Sequence, residues 1–361
     1  MNLQAFDIHT DPHKTEAIWN GLCSQQRIPY FLSWGWIENW ISSIGKAGKI
    51  KLAYLSENNR PLLGFFLGEN RIYRNRLFSS RGYFLNTTGI PRYDALCIEY
   101  NAIPCADPVN CSLRELLDLI PGQWDELYLP GMDSEAFPGR HLNESVRPYK
   151  VIIEKIDSSP YVDLSAVRKS DGGYFSLLSS NTRAQVRRSY RELGSKAPVV
   201  MTAAGDLAGA LKIYEKMVYL HQKNWQAKGE PGAFASDFFY RFHRNLIRKR
   251  FKYGEIQLLE ISSGGEAIGC LYNFVFRGKV YFYQSGFNYE IDRRLKPGYV
   301  CHAEAIKYNA EQGHSIYDFL AGSAQYKSSM ATSEKNLIWA RIQKPLAKFW
   351  LEKTLENIRR Q

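Results

Sequence analysis

No two cysteines of the chain are spaced Cys-x-x-Cys, and no His/Cys group has the spacing of a zinc site. The six cysteines, at 23, 97, 105, 111, 270 and 301, are read as reduced thiols of a cytoplasmic protein, and no metal is expected. There is no run of about 18 apolar residues to span a bilayer. The start, Met1-Asn2-Leu3-Gln4-Ala5-Phe6-Asp7, lacks a basic segment leading into an apolar one, so no signal peptide is expected. A G-x-G-x-x-G turn after a strand, a Walker A loop, a G-x-S-x-G elbow and an H-E-x-x-H helix are all missing. Dinucleotide oxidoreductases, P-loop enzymes, α/β-hydrolases and zincins lose ground with them.

What is present suits a folded chain. Its 361 residues make one large domain or two ordinary ones. An aromatic content of 14% within a hydrophobic content of 45% supplies a core, and charges of both signs argue against wholesale disorder. The net charge of +11 is unevenly placed. Up to Asp163 there are 16 Lys+Arg against 19 Asp+Glu; from Leu164 onward there are 31 against 17, a net of +14. Such a field attracts phosphate-rich ligands, anionic membrane or nucleic acid, unless it is simply a solvated basic surface.

The spacing predicts a helix capped at Ser33 and carrying Trp36, Ile37, Trp40 and Ile41 on one face. Lys49 to Ser56 and Leu62 to Leu67 read as a hairpin turning at Asn58-Asn59, with further strands at Tyr93 to Tyr100 and Asp125 to Leu129. Val151 to Val167, with Pro160 and several serines, reads as a crossing between halves. Helices follow at Ser180 to Leu193, Leu207 to Lys228 and Phe234 to Arg250. Ile256 to Ile261, Ala267 to Phe276 and Lys279 to Ser285 make a three-strand meander. A helix ending at Gly313, a strand at Ser315 to Leu320 and a last strand at Asn336 to Ile342 complete the pattern. Leu55-Ser56, a turn and Gly64-Phe65-Phe66-Leu67 echo Ile261-Ser262, a turn and Gly269-Cys270-Leu271-Tyr272, which hints at duplication.

Five constellations could carry chemistry. Pro297-Gly298 opens a helix just after a strand, leaving backbone N–H groups free, and Arg293, Arg294 and Lys296 stand before it. That describes a pyrophosphate site in which Gly298 admits a ligand close to the backbone; it also describes an ordinary loop. Asp318, at the end of a buried-looking strand, could take a proton from an amine, Tyr326 could protonate a leaving thiolate, and Lys327 could hold a phosphate or carboxylate. Equally, Asp318 could cap its loop, Tyr326 pack and Lys327 be solvated. Arg183 and Arg187 are i, i+4 neighbours with Arg191 in line, either a phosphate or substrate clamp or an exposed face. His221, Trp225 and Lys228 lie on one helix, where Trp225 offers a platform for a sugar ring or packs into the core. In the tail, Leu346, Phe349, Trp350 and Ile358 can share a face opposite Lys348, Lys353, Arg359 and Arg360, which suits either a membrane surface or docking on the protein itself.

Taken together, the pieces resemble the GNAT acyltransferase superfamily, and within it the FemAB-like and cellulose-biosynthesis (CelD-like) branch. The resemblance runs over about residues 28 to 345. It rests on Pro29-Tyr30-Phe31-Leu32-Ser33 before a Trp-rich helix, Ser180-x-x-Arg183-x-x-Val186-Arg187-Arg188, the meander, Lys296-Pro297-Gly298, and Tyr317-Asp318-Phe319-Leu320-x-Gly322-x-x-x-Tyr326-Lys327. It implies an α/β (α+β) chain of two tandem GNAT-like domains, each a mixed, mostly antiparallel twisted sheet flanked by helices. Residues 1–163 would form the first, 164–345 the acyltransferase domain and 346–361 an amphipathic helix.

The resemblance implies acyl-CoA, usually acetyl-CoA, as co-substrate and a primary amine as acceptor. Tyr283, Gln284 and Ser285 on a strand, with Arg293, Arg294, Lys296, Pro297, Gly298 and Tyr299 at the helix start, would straddle the cofactor. The superfamily's Gln/Arg-x-x-Gly-x-Gly/Ala loop is matched only in part by Arg294-Leu295-Lys296-Pro297-Gly298-Tyr299. Asp318 and Tyr326 would be catalytic; Arg183, Arg187, Trp225, Gly322 and Lys327 would face the acceptor. The branch points to an amino sugar of an envelope or exopolysaccharide precursor, with peripheral contact of the tail at the inner face of the membrane and no nucleic acid. An aminoacyl-tRNA-dependent transferase acting on peptidoglycan precursors is the alternative within the fold; no charged helical-hairpin arm of that type is visible. A non-catalytic basic nucleic-acid-binding or scaffold protein is the alternative outside it.

Overall fold

The computed structural model describes residues 3–24, 28–58, 60–74, 78–105, 114, 117–118, 120–135, 148–195, 197–290 and 295–352. The chain divides into two compact units, Met1–Ile156 with Leu337–Gln361, and Asp157–Asn336.

The first unit holds strands β1 (Leu3–Asp7), β2 (Lys49–Glu57), β3 (Arg60–Arg74), β4 (Phe78–Leu85) and β5 (Glu126–Asp133), and most of the last strand, β12 (Ser333–Gln343). They lie in the order β1-β2-β3-β4-β5-β12, with β4 and β5 parallel and the other neighbours antiparallel. Between β1 and β2 run α1 (Pro12–Cys23), capped by the Asp11 carboxylate, and α2 (Trp34–Ile44), capped by Ser33 as its spacing predicts. Their aromatic faces close over β3. Phe66 lies 4.5 Å from Trp19 and 5.9 Å from Trp40, and the buried Trp19 indole donates to Leu32 O at 2.8 Å.

The second unit repeats this scheme. Its strands are β6 (Lys150–Asp163, from Asp157 on), β7 (Val199–Ala203), β8 (Ile256–Ser263), β9 (Glu266–Phe276), β10 (Lys279–Phe287) and β11 (Ile316–Asp318). The order is β7-β8-β9-β10-β11-β6; β10 and β11 are parallel and the rest antiparallel. Two helices again separate the first two strands, α7 (Leu207–Gln226) and α8 (Asp237–Arg250). On the opposite face lie α4 (Leu164–Lys169), α5 (Gly173–Leu177), α6 (Ser180–Leu193) and α9 (Pro297–Glu311), around a core that includes Val186, Leu271, Val280, Phe282, Val300 and Phe319. After β11 comes α10 (Gln325–Met330). Each unit is thus a mixed, mostly antiparallel sheet flanked by helices, and the fold class is α/β.

Two elements differ from expectation. Tyr93 to Tyr100 is no strand: Pro91–Asp94 forms a helical turn, α3, with proline at its first position. Cys97 and Tyr100 have positive φ, which ends any extended run there. The region from 151 is no mere crossing but the 14-residue strand β6. Pro160 is tolerated within it because its carbonyl accepts the Phe319 N–H at 3.0 Å, a contact that asks for no donor. Residues 157–163 go with the second unit because β6 pairs with β11 there; residues 337–343 go with the first because β12 pairs with β5.

Candidate active site

In the second unit β10 and β11 pair at Lys279↔Ile316, Val280↔Tyr317 and Tyr281↔Asp318, and β11 stops there. β10 continues to Phe287 with only β9 beside it among the described strands. Its register shifts between Phe282 and Gln284, so Tyr283 bulges. One edge of Phe282–Phe287 is therefore left facing the opening between the two strands.

The loop after β11 is held from both ends by its own residues. The Asp318 carboxylate, buried, accepts the Leu320 N–H at 2.8 Å and the Ser159 hydroxyl at 3.3 Å. Leu320 sits at φ +60°, a conformation that costs a non-glycine residue energy and needs such a hold. Lys327 folds back so that its ammonium donates to Ala321 O at 2.7 Å and Leu320 O at 3.1 Å. Gly322, at φ +140°, donates its N–H to Ser158 O at 3.1 Å, and a Cβ there would stand 3.0 Å from the Lys327 nitrogen. Asp318, Gly322 and Lys327 thus form a clasp.

α9 opens beside this loop with Pro297 at its first position and Lys296 as a cap that makes no side-chain capping bond. The Lys296 ammonium donates to the Gln185 side chain and lies 4.9 Å over the Tyr299 ring, and its backbone N–H donates to Ser189 Oγ at 3.3 Å. Gln185 and Ser189 belong to α6, whose Arg183 is half-buried and whose Arg187 is exposed. Lys296 thus packs on the Gln185–Ser189 side of α6, about half a helical turn away from Arg183 and Arg187. Gly298 serves packing: a Cβ would meet the Phe287 ring at 3.0 Å. Arg293 and Arg294 lie outside the described residues.

Tyr299 bonds Ser329 Oγ at 3.0 Å, one turn from Tyr326. Tyr326 stacks on the His302 imidazole, with centroids 5.5 Å apart and planes at 17°. Burial, helped by Tyr289, raises the Tyr326 phenol above its ordinary pKa, so it stays a proton donor across the neutral range. His302, fully buried, bonds the Tyr317 hydroxyl through Nδ1 at 3.0 Å and is ringed by Phe282, Phe287 and Phe319. Burial and then Lys327 push its pKa down to about 3, so it is neutral. Nothing in the local sequence marks His302; only the packing of α9 on β10 and β11 reveals it.

Tyr283 faces away from α9. Its ring lies 4.7 Å from His243 and 4.8 Å from Phe274, so at the opening it presents backbone. Ser285 presents its carbonyl to His221 Nδ1 on α7 at 3.0 Å. Trp225, one turn further on, is 40% exposed, 5.9 Å from the His221 ring, with the Lys228 ammonium 5.3 Å over the indole. α7 and β10 touch at Gly286, where any Cβ would overlap Met217 O. The Phe287 carbonyl then accepts from Asn224 at 2.7 Å while its ring rests on Gly298. The end of β10 thereby joins the Trp225 region to the start of α9.

Residues 180–328 match the family model of the acetyltransferase (GNAT) domain. No curated protein matches the chain. Among solved structures, a conserved protein of unknown function from Bacteroides thetaiotaomicron VPI-5482 gives a TM-score of 0.56 at 10% identity, over 95% of this chain and 100% of that one. FemX gives 0.56 at 11% identity, over 94% and 97%. The C-terminal domain of a putative lysylphosphatidylglycerol synthetase from Agrobacterium fabrum gives 0.53 at 8% identity, over 94% and 95%. At these identities the likeness is one of fold.

Proposed function

We propose that this chain, a member of the GNAT acyltransferase superfamily, moves an acyl group from acyl-CoA, acetyl-CoA in the simplest case, to a primary amine on an amino sugar of an envelope or exopolysaccharide precursor. The observation that carries the reading is the opening between β10 and β11, edged by unpaired strand and set beside the start of α9 and its cations. Lys296, at the start of α9, suits the phosphates of the donor, and Arg183 and Arg187 on another side of α6 add to the positive field. N–H groups along the edge of Phe282–Phe287 suit a thioester carbonyl that gains negative charge on attack. Tyr326, kept protonated by burial, is the group assigned to the departing thiolate. Asp318 and Lys327 act by holding the loop, and Trp225 offers an exposed aromatic face to a sugar ring.

The donor is assigned to the second unit because the corresponding place in the first is taken. After β4, the N–H groups of Thr88 and Gly89 donate to the Asp94 carboxylate at 2.8 and 2.7 Å. An anion of the chain's own already fills that turn. Peripheral membrane contact through residues 346–361 belongs to the same reading: Trp350 is exposed, while Lys348 is paired with Asp125, and residues 353–361 lie outside the described residues.

Calorimetric titration with acetyl-CoA tests the reading. Micromolar binding is expected, weakened roughly 10–100-fold in an Arg183→Glu/Arg187→Glu variant, because two charges of the positive field are reversed. Binding matched by tripolyphosphate, or no binding, would sink it and bring forward aminoacyl-tRNA as donor.

A further inference from the structure

His221 stands apart from the residues that suit the donor. It lies five residues before the end of α7 and is 7% exposed. A carbonyl can only accept, so the 3.0 Å contact with Ser285 O fixes the proton on Nδ1. That leaves Nε2 with a lone pair, and Nε2 is buried without a hydrogen-bond partner. A buried acceptor left unmet costs stability, so its retention calls for a reason. The neighbouring Gln222 repeats the situation: its amide nitrogen donates to Pro231 O at 2.9 Å, and its Oε1 is likewise buried and unpaired. Both acceptors border Trp225. The His221 ring is 5.9 Å from the indole, and Gln222 Oε1 and Trp225 Cβ crowd the same hydrogen of Gly232. Phe234 lies edge-on to the imidazole at 5.0 Å, and Trp225, its other aromatic neighbour, is 40% exposed.

Few charges act on this imidazole. Lys228 faces it from the end of its own helix. From beyond β10, Glu290 is already paired with Lys223. From α8, Phe239 packs on Phe234, with His243 buried behind it. The turn before α8 presents only Phe234. Burial, with Lys228, keeps His221 below its ordinary pKa against the pull of the Ser285 carbonyl, so the lone pair is present at neutral pH.

We propose that His221 is a catalytic base of the acyl transfer: Nε2 takes the proton of a primary amine docked against Trp225, with Gln222 Oε1 receiving a second donor of the same ligand. The assignment rests on the acyl-transfer reading above. The amine nitrogen forms its bond to the thioester carbonyl carbon, the carbon–sulfur bond breaks, the amine proton passes to Nε2, and the thiolate leaves with a proton from Tyr326. The ligand class this favours is a primary amine on a polar ring carrying a further hydroxyl donor.

Asn at position 221 keeps a donor near the place of Nδ1 and deletes Nε2, so His221→Asn isolates the lone pair. Thiol release from acetyl-CoA is followed with glucosamine, galactosamine and ethanolamine as probe amines between pH 5 and 9. Wild type should show a kcat that falls on the acid side as His221 protonates, at a pH below that of an ordinary imidazole. His221→Asn should lower kcat about 100-fold and abolish that limb while acetyl-CoA affinity is unchanged. Nitrogen-15 spectra of the wild-type imidazole should show the Nδ1–H form. A Nε2–H form, or an Asn variant with wild-type kcat and pH profile, overturns the assignment and leaves the acyl-transfer reading standing. Thiol release with none of the amines by wild type overturns both.

Discussion

Asp318→Ala should lower the stability of the second unit by roughly 2–4 kcal/mol. The carboxylate accepts the Leu320 N–H at 2.8 Å, and a bond to a charged acceptor is worth about 1.5–3 kcal/mol. The Ser159 hydroxyl, at 3.3 Å, adds about 0.5–1 kcal/mol. Leu320, at φ +60°, then loses what holds it in place. Asp318→Asn keeps one oxygen for the Leu320 N–H and should cost only about 1 kcal/mol. The pair of variants separates two roles that the motif allows. A clasp predicts large destabilisation for Ala, small for Asn, faster amide exchange at Leu320 and Gly322, and an Asn variant within about tenfold of wild-type turnover. A proton-accepting carboxylate predicts a loss of about 10²–10⁴ in kcat for Asn with stability nearly intact. Urea unfolding, amide hydrogen exchange and thiol release on the same preparations decide between them. An Asn variant that is stable and dead refutes the clasp.

In the first unit, Glu126 is fully buried and is met by Arg74 at 2.6 Å, Arg341 at 3.6 Å and Gln343 at 3.2 Å. Glu126→Ala leaves two cations without their buried partner and should cost about 3–5 kcal/mol in urea unfolding, whereas an exposed pair such as Arg241–Asp237 should be worth about 0.5 kcal/mol or less. Asp125 supplies a pH dependence. Burial pushes its pKa up, but the Lys348 ammonium at 2.6 Å and the Arg81 N–H outweigh it and hold the carboxyl below its ordinary value. A depressed acid adds stability above its unfolded pKa, near about 4, that is lost as pH falls through the folded one. Unfolding midpoints between pH 6 and 3 should therefore drop less steeply in Lys348→Met than in wild type; equal slopes would remove Asp125 from the account.

Much of the fold was legible because it is written in local patterns. Ser33 caps α2, the Ser180–Leu193 helix begins and ends as its spacing says, and the meander follows its turns. The echo between the two hairpins has a physical basis. Each carries a register shift at the same place, between Leu55 and Ser56 in one and between Ile261 and Ser262 in the other. What escaped was set by distant partners. Tyr93 alternates like a strand, but the Asp94 carboxylate winds its segment around Thr88 and Gly89. Pro160 reads as a breaker, but a strand from far along the chain supplies what its neighbours need. In the site, Lys296 is brought onto α6 at Gln185 and Ser189, a contact that no local pattern announces. The Asp318–Lys327 motif is the harder lesson: its polar groups face its own backbone, a fact that no spacing encodes.

The two units show what a single pattern of strand pairings can be made to do. In both, a meander ends in a strand that runs parallel to the next, and such a pair needs a crossover between its members. In the second unit the crossover is a 15-residue helix that Lys296 precedes and that packs its start on α6 through Gln185 and Ser189. In the first, the chain leaving β4 turns at once onto Asp94 and meets its backbone donors with its own carboxylate. Charge leans the same way: the second unit carries 25 Lys+Arg against 17 Asp+Glu, a net of +8, and the first 22 against 19, a net of +3. Replacing Asp94 alone would free the Thr88 and Gly89 N–H groups, yet it would bring none of the cations that surround α9. The difference between the units is therefore electrostatic before it is topological, and a donor carrying several phosphates should tell them apart by charge.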